Sequence, residues 1–190
     1  FIHFNFSKNE KIILMAVMSV MTLTAAAQNW FAGGSVGAWR NDSDKITTIT
    51  IAPEVGYNLS EQWAIGTVLG WSYIHRSSVD GNLVDFDPYA RYTFYKKGIV
   101  SLFVDGGVDL GFGKASYDGE DSDTAVKYGI GFKPGIALAL NDRCSIVAHA
   151  GFLGYRGTND AAKDLLDNHY DGWGFDFSGY NLSFGFYYSF

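Results

Sequence analysis

Large apolar side chains recur at every second position over most of this chain, in short segments separated by polar breaks. The last segment, YNLSFGFYYSF, shows the pattern most plainly. Tyr180, Leu182, Phe184, Phe186, Tyr188 and Phe190 share one side; Asn181, Ser183, Gly185, Tyr187 and Ser189 share the other. A period of two is that of a β-strand with one apolar face. The same alternation predicts strands at about 29–40, 46–59, 63–74, 84–95, 99–112, 126–140, 144–155 and 180–190, about eight in all. Glu54 shares a face with Thr50 and Ala52, opposite Ile49, Ile51 and Val55. Trp63, Ile65, Leu69, Trp71 and Tyr73 oppose Ala64, Gly66 and Gly70. Phe86, Pro88, Ala90 and Phe94 oppose Asp85, Asp87, Tyr89, Arg91 and Tyr95. Leu102, Val104 and Val108 oppose Asp105 and Asp109. Tyr128, Ile130 and Phe132 oppose Lys127 and Lys133. The first strand carries Trp30 and Trp39 on opposite faces, and in the seventh Ile146, Ala148, Ala150 and Phe152 are expected to point outward.

The breaks alternate in length. NLSEQ (58–62), KKG (96–98) and NDR (141–143) are short. NDSDK (41–45), HRSSVDGN (75–82), 113–125 and 156–174 are longer. Short turns at one end and long loops at the other predict an up-and-down antiparallel barrel. The less apolar faces decide where it sits. In a soluble sandwich they would be rich in Lys, Glu and Thr; here they are mostly Gly, Ala and Ser with isolated charges. Small residues suit the interior of a narrow closed barrel, and closed barrels can span a bilayer because every backbone group is paired. The expected fold is therefore all-β: an eight-stranded antiparallel up-and-down transmembrane β-barrel. Trp63, Tyr57, Phe94 and Tyr95 fall near one end of the strands, and Trp39, Tyr73 and Trp173 near the other, as two aromatic girdles would.

Composition agrees. Aromatics make up 17% of the 190 residues, with 23 Gly and only 3 Pro, a load suited to an outward shell rather than a soluble core. Residues 12–27, preceded by Lys8 and Lys11 and ending in AAAQ, read as a secretory signal peptide cut after Ala27. The chain begins with Phe1 and a long lead-in, so the start of translation is expected upstream of Lys11. Residues 28–190 are then the barrel domain. The net charge of −6 argues against a nucleic-acid partner. The single cysteine, Cys144, excludes an internal disulfide framework and a cysteine zinc site.

The stretches IAPEVGYNLSEQWAIGTVLGW, FDPYARYTF, GIGFKPGIALAL and SGYNLSFGFYYSF, in this order and spacing, resemble the small outer-membrane β-barrel family of OmpA and OmpX type. They are similar in particular to porin-like barrels of Bacteroidetes-type bacteria. The resemblance covers residues 28–190 and implies an integral protein of the bacterial outer membrane. The chain stops at the barrel, so the cell-wall anchoring of full-length OmpA is not implied. Tyr180, Phe186, Tyr188 and Phe190 match the C-terminal signal read by the barrel-assembly machinery. Outer-membrane lipid and lipopolysaccharide are the implied surroundings.

Candidate chemistry is sparse. Glu54, Arg91, Asp105, Asp109, Lys127 and Lys133 are the inward charges, expected to pair as a polar network that plugs the lumen. His149 reads as a lumen hydrogen-bonder. The loops 113–125 and 156–174 are acidic and offer a surface to an external ligand; their spacing matches no EF-hand, and no cofactor or metal is expected. His75 with Ser77 could serve acyl chemistry at the outer rim, with no third, orienting residue evident in the sequence. The leading expectation is a non-enzymatic structural or adhesive barrel; the alternatives are an outer-leaflet lipid-modifying enzyme and a narrow channel.

Overall fold

The computed structural model describes residues 29–41, 46–76, 79–117, 120–121, 123–160, 171–177 and 182–190. The leader, Ser77, His169, Tyr180 and the side chain of Trp39 lie outside them. Among the described residues, eleven strands form one sheet: β1 (Trp30–Asn41), β2 (Ile46–Asn58), β3 (Trp63–Arg76), β4 (Val79–Lys97), β5 (Val100–Tyr117), β6 (Glu120–Asp121), β7 (Ala125–Ala139), β8 (Cys144–Ala150), β9 (Phe152–Thr158), β10 (Gly172–Asp176) and β11 (Leu182–Ser189). They make eight staves. β8 and β9 share one stave, β10 and β11 the last, and β6 pairs antiparallel with the tip of β5, on the same side as β7. All pairings are antiparallel. β5 pairs with both β4 and β7, and β11 with both β8 and β1, so the sheet closes.

The short turns are built from local hydrogen bonds. Asn141 Oδ1 accepts from the backbone N–H groups of Arg143 and Cys144, both at 2.9 Å. Ser60 Oγ accepts from Trp63 N–H at 3.0 Å, and Gly98 takes a left-handed φ of 58° in the Lys97–Ile99 turn. Side chains that turn outward meet solvent in isolation: Ile51, Ile65, Leu69, Phe86, Ile130, Phe132 and Phe186 are all exposed. Inside, Phe31, Ala64, Phe103, Val147 and Tyr187 form a core near the turn end of the lumen.

Two expected orientations are wrong, both because the strand slips phase. Phe152 points inward and is buried, not outward. Gly151, at φ +83°, places itself and Phe152 on the inside in succession, a bulge that resets the alternation between β8 and β9. Tyr95 is outward and exposed, not inward. The β4–β5 register shifts between Thr93 and Tyr95, which pair with Phe103 and Leu102. The long connections also begin later than their polar composition suggests. β4 starts at Val79 within the expected 75–82 break, β5 runs to Tyr117 within 113–125, and β9 and β10 extend into 156–174. Paired strands there continue beyond the apolar belt, where polar side chains suit both faces.

Gly151→Ala is expected to destabilise the barrel by roughly 1–3 kcal/mol, through backbone strain at positive φ. Its Cβ would also lie 2.6 Å from the carbonyl oxygen of Asp176. Urea unfolding of vesicle-folded protein, followed by tryptophan fluorescence, measures it.

Candidate functional site

The six charges expected in the lumen lie on β2, β4, β5 and β7, and all carry ion pairs with one another or with close neighbours. Arg91 is the centre. Its Nε donates to Asp105 Oδ1 at 2.7 Å and its Nη2 to Asp105 Oδ2 at 2.8 Å, a bidentate fork. The two residues are register partners on β4 and β5, so the strand ladder itself sets the geometry. Glu54 on β2 approaches Arg91 Nη2 at 3.5 Å. Its two oxygens accept hydrogen bonds from the hydroxyls of Tyr89 and Tyr187. His149 Nε2 lies 2.8 Å from Asp105 Oδ2. Arg91, Glu54 and Asp105 are all buried.

The guanidinium is also boxed by rings. Its Cζ lies 4.0 Å from the Phe103 ring centroid, 5.1 Å from Tyr89, 5.4 Å from Tyr187 and 5.8 Å from Phe31. Such stacking contributes about 0.5–2 kcal/mol per close ring once water is removed. Phe103 is 1% exposed, and the ring reaches it because Gly135 opposite has no side chain: a Cβ there would sit 2.3 Å from Phe103 Cζ.

A second set lies toward the loop end. Lys133 Nζ is 2.6 Å from Asp109 Oδ1 and 3.9 Å from Asp87 Oδ2. Lys127 Nζ is 2.9 Å from Asp85 Oδ1. Above the Arg91 cluster is a polar chamber of about 420 Å³, lined by residues including Glu54, Asp87, Asp109, Lys133 and His149. Below it is a smaller cavity of about 160 Å³ lined by Asn58, Glu61, Arg91, Lys96 and Phe103.

Sequence reasoning left four members out. Asp85 and Asp87 sit on the inward face already assigned to β4, so the alternation contained the signal. Tyr89 and Tyr187 are on inward faces too, but aromatic type suggested the wall. Cys144 is half-buried and makes no disulfide. Among the described residues no group of three or more metal-ligating side chains converges.

The C-terminal residues are held at the seam: Tyr188 accepts from Arg143 Nη1 at 3.0 Å, and Phe190 N–H donates to the Trp30 carbonyl at 3.1 Å. At the outer rim, Asp80 Oδ1 lies 2.6 Å from His75 Nδ1 and accepts from the Tyr73 hydroxyl at 2.7 Å. An orienting carboxylate for His75 thus exists, contrary to the sequence expectation.

A closed sheet with an apolar outer surface and a charged lumen is the architecture of an outer-membrane barrel, and the family model for the outer membrane protein beta-barrel domain matches residues 12–190. The chain belongs to this family. It is an integral protein of the outer membrane. Among solved structures, the barrel is similar to Neisserial surface protein A, at 16% identity and a TM-score of 0.48, over 85% of this chain and 95% of that one. It is also similar to the translocator domain of the autotransporter NalP from Neisseria meningitidis, at 12% identity and a TM-score of 0.36, over 96% and 95%. No curated protein sequence matches.

Removing Arg91 would leave Asp105 and Glu54 buried beside each other. Arg91→Met is expected to cost about 3–5 kcal/mol, and the double variant Arg91→Met/Asp105→Leu to recover a large part of it. Equilibrium unfolding in lipid vesicles gives both numbers. A double variant no more stable than the single would show that the ion pair is not the source.

Proposed function

We infer that this outer-membrane barrel is a non-enzymatic structural protein of the envelope, its lumen plugged by the Arg91 network and its loops free for surface contacts. The observation that carries the reading is the bidentate Arg91–Asp105 pair boxed by Phe103, Tyr89 and Tyr187, with Glu54 3.5 Å from the same guanidinium. Opening a path would separate buried opposite charges and stacked rings together, which is costly in a narrow lumen. Lipid and lipopolysaccharide are the partners of its wall. The barrel-assembly machinery would read Phe186, Tyr188 and Phe190 during insertion, with Tyr180. The loops within 113–125 and 156–174 are the surface offered to an external ligand.

Planar-bilayer recording tests the plug. The wild type is expected to show no steady conductance, and Arg91→Ala/Phe103→Ala to conduct measurably. A stable porin-sized channel in the wild type would overturn the reading.

One observation favours a second reading, lipid modification at the outer rim: Asp80 is placed to orient His75 as a general base. His75→Ala would then alter the mass spectrum of lipid A in cells carrying the protein. Identical spectra remove this alternative.

A further inference from the structure

The sheet closes unevenly. The β1–β2 ladder runs from Trp30 opposite Tyr57 to Asn41 opposite Ile46. The β1–β11 ladder runs from Phe31 opposite Ser189 only as far as Gly34 opposite Phe186. Among the described residues, positions 35–41 of β1 have no ladder partner on that side, and neither do positions 182–185 of β11. The strands part at Gly34, whose φ is +146°. Val36 stands roughly 15 Å above Trp30 at the rise of a tilted strand, so the split lies in the outer half of the hydrocarbon layer. Unpaired backbone groups are disfavoured against acyl chains and persist where they line a polar cavity.

Such a cavity adjoins the split. Gly34, Ser35, Ser183 and Gly185 border both the seam and the 420 Å³ chamber. On the outer side of the same seam, Val36 is 81% exposed and Phe184 62%. Among the described residues, the small Gly34, Ser35, Ser183 and Gly185 lie between this polar interior and the apolar exterior. This is the form of an opening for an amphiphile.

The chamber specifies the head. Asp87 lines it, and among the described residues no side chain donates a hydrogen bond to Asp87; Lys133, at 3.9 Å, is out of reach. Lys133 meanwhile commits itself to Asp109 at 2.6 Å, leaving further N–H directions of a three-donor ammonium toward the chamber. An acceptor and a donor of opposite charge thus face one space of ligand size. A head bearing both an ammonium and a phosphate satisfies both.

We propose that the split between β1 and β11 is a lateral portal that admits the phosphoethanolamine head of a membrane phospholipid into the upper chamber, ammonium at Asp87 and phosphate at Lys133, while its chains lie over Val36 and Phe184. The Arg91 cluster below makes the chamber a binding site rather than a passage. This inference stands apart from the structural role: a plugged barrel needs no bound lipid.

Native mass spectrometry of the purified barrel in a neutral detergent tests it, with phosphatidylethanolamine and phosphatidylglycerol of identical chains as probes. The wild type is expected to retain phosphatidylethanolamine at least tenfold better. Asp87→Asn should lower that retention to the phosphatidylglycerol level. Ser35→Trp, which fills the portal and removes no charge, should do the same, with Ser183→Phe as the substitute if Ser35→Trp does not fold. A heat-dependent gel shift verifies that each variant is a closed barrel. Equal retention of the two lipids, or retention unchanged by both substitutions, would reduce the observation to annular lipid and overturn the site. Chain-free phosphoethanolamine binding undiminished in the portal-filled variant would mean entry from the loop end and would overturn the portal.

Discussion

In hydrocarbon, each backbone N–H and C=O has to find its partner within the protein, and the rest of this molecule follows from that requirement. A sheet meets it by closing, here through β5 with β7 and β11 with β1. Eight staves close into a tube only wide enough for side chains to fill. The inward positions must then be small or must interlock. Gly135 is a clear case: it yields its volume to the Phe103 ring, which in turn stacks on Arg91. The glycine content is thus largely a packing consequence of closure, as the outward aromatics are a consequence of the lipid around it.

The same narrowness divides the lumen electrostatically. Toward the turn end, one guanidinium serves two carboxylates and a ring of aromatics. A planar fork with five N–H donors can do this, whereas an ammonium could make the contacts of a point charge only. Toward the loop end, Lys127 and Lys133 hold Asp85 and Asp109 through single contacts, with their side chains about one-third exposed. There the charges keep part of their hydration and can exchange partners at lower cost.

Much of this was legible in the chain because period two is insensitive to tertiary detail. The faces of β2, β3, β5 and β7 follow directly from alternation, and with them the inward placement of Glu54, Asp105, Asp109, Lys127 and Lys133. Reading fails where the period slips by one residue. Tyr95 and Phe152 sit just beyond such slips, and an apolar residue looks the same on either side of a bulge. Gly151 within an otherwise alternating run was the available signal. Who partners whom was less accessible. Arg91 and Asp105 meet through adjacent staves, which sequence order implies; Tyr187 reaches Arg91 and Glu54 from near the end of the chain, through the closure register. The loop bounds were misjudged because polar composition marks the edge of the membrane, not the end of a strand.

The irregularities are not spread evenly. The staves from β1 to β7 pair in long ladders, with one shift at Thr93–Tyr95. The stave of β8 and β9 is interrupted at Gly151, and among the described residues the closing ladder is short. Regular ladders carry Glu54, Arg91 and Asp105, whose bidentate geometry tolerates little displacement. The stave bulged at Gly151 and the closing strand border the upper chamber, through Gly151, Ser183 and Gly185. A barrel under pressure only to be stable would extend its closing ladder, since each added pair satisfies groups that are costly in lipid. Its ending at Gly34, beside small residues and a carboxylate, Asp87, to which no side chain among the described residues donates a hydrogen bond, therefore argues that this part of the wall is shaped by what it meets rather than by closure alone.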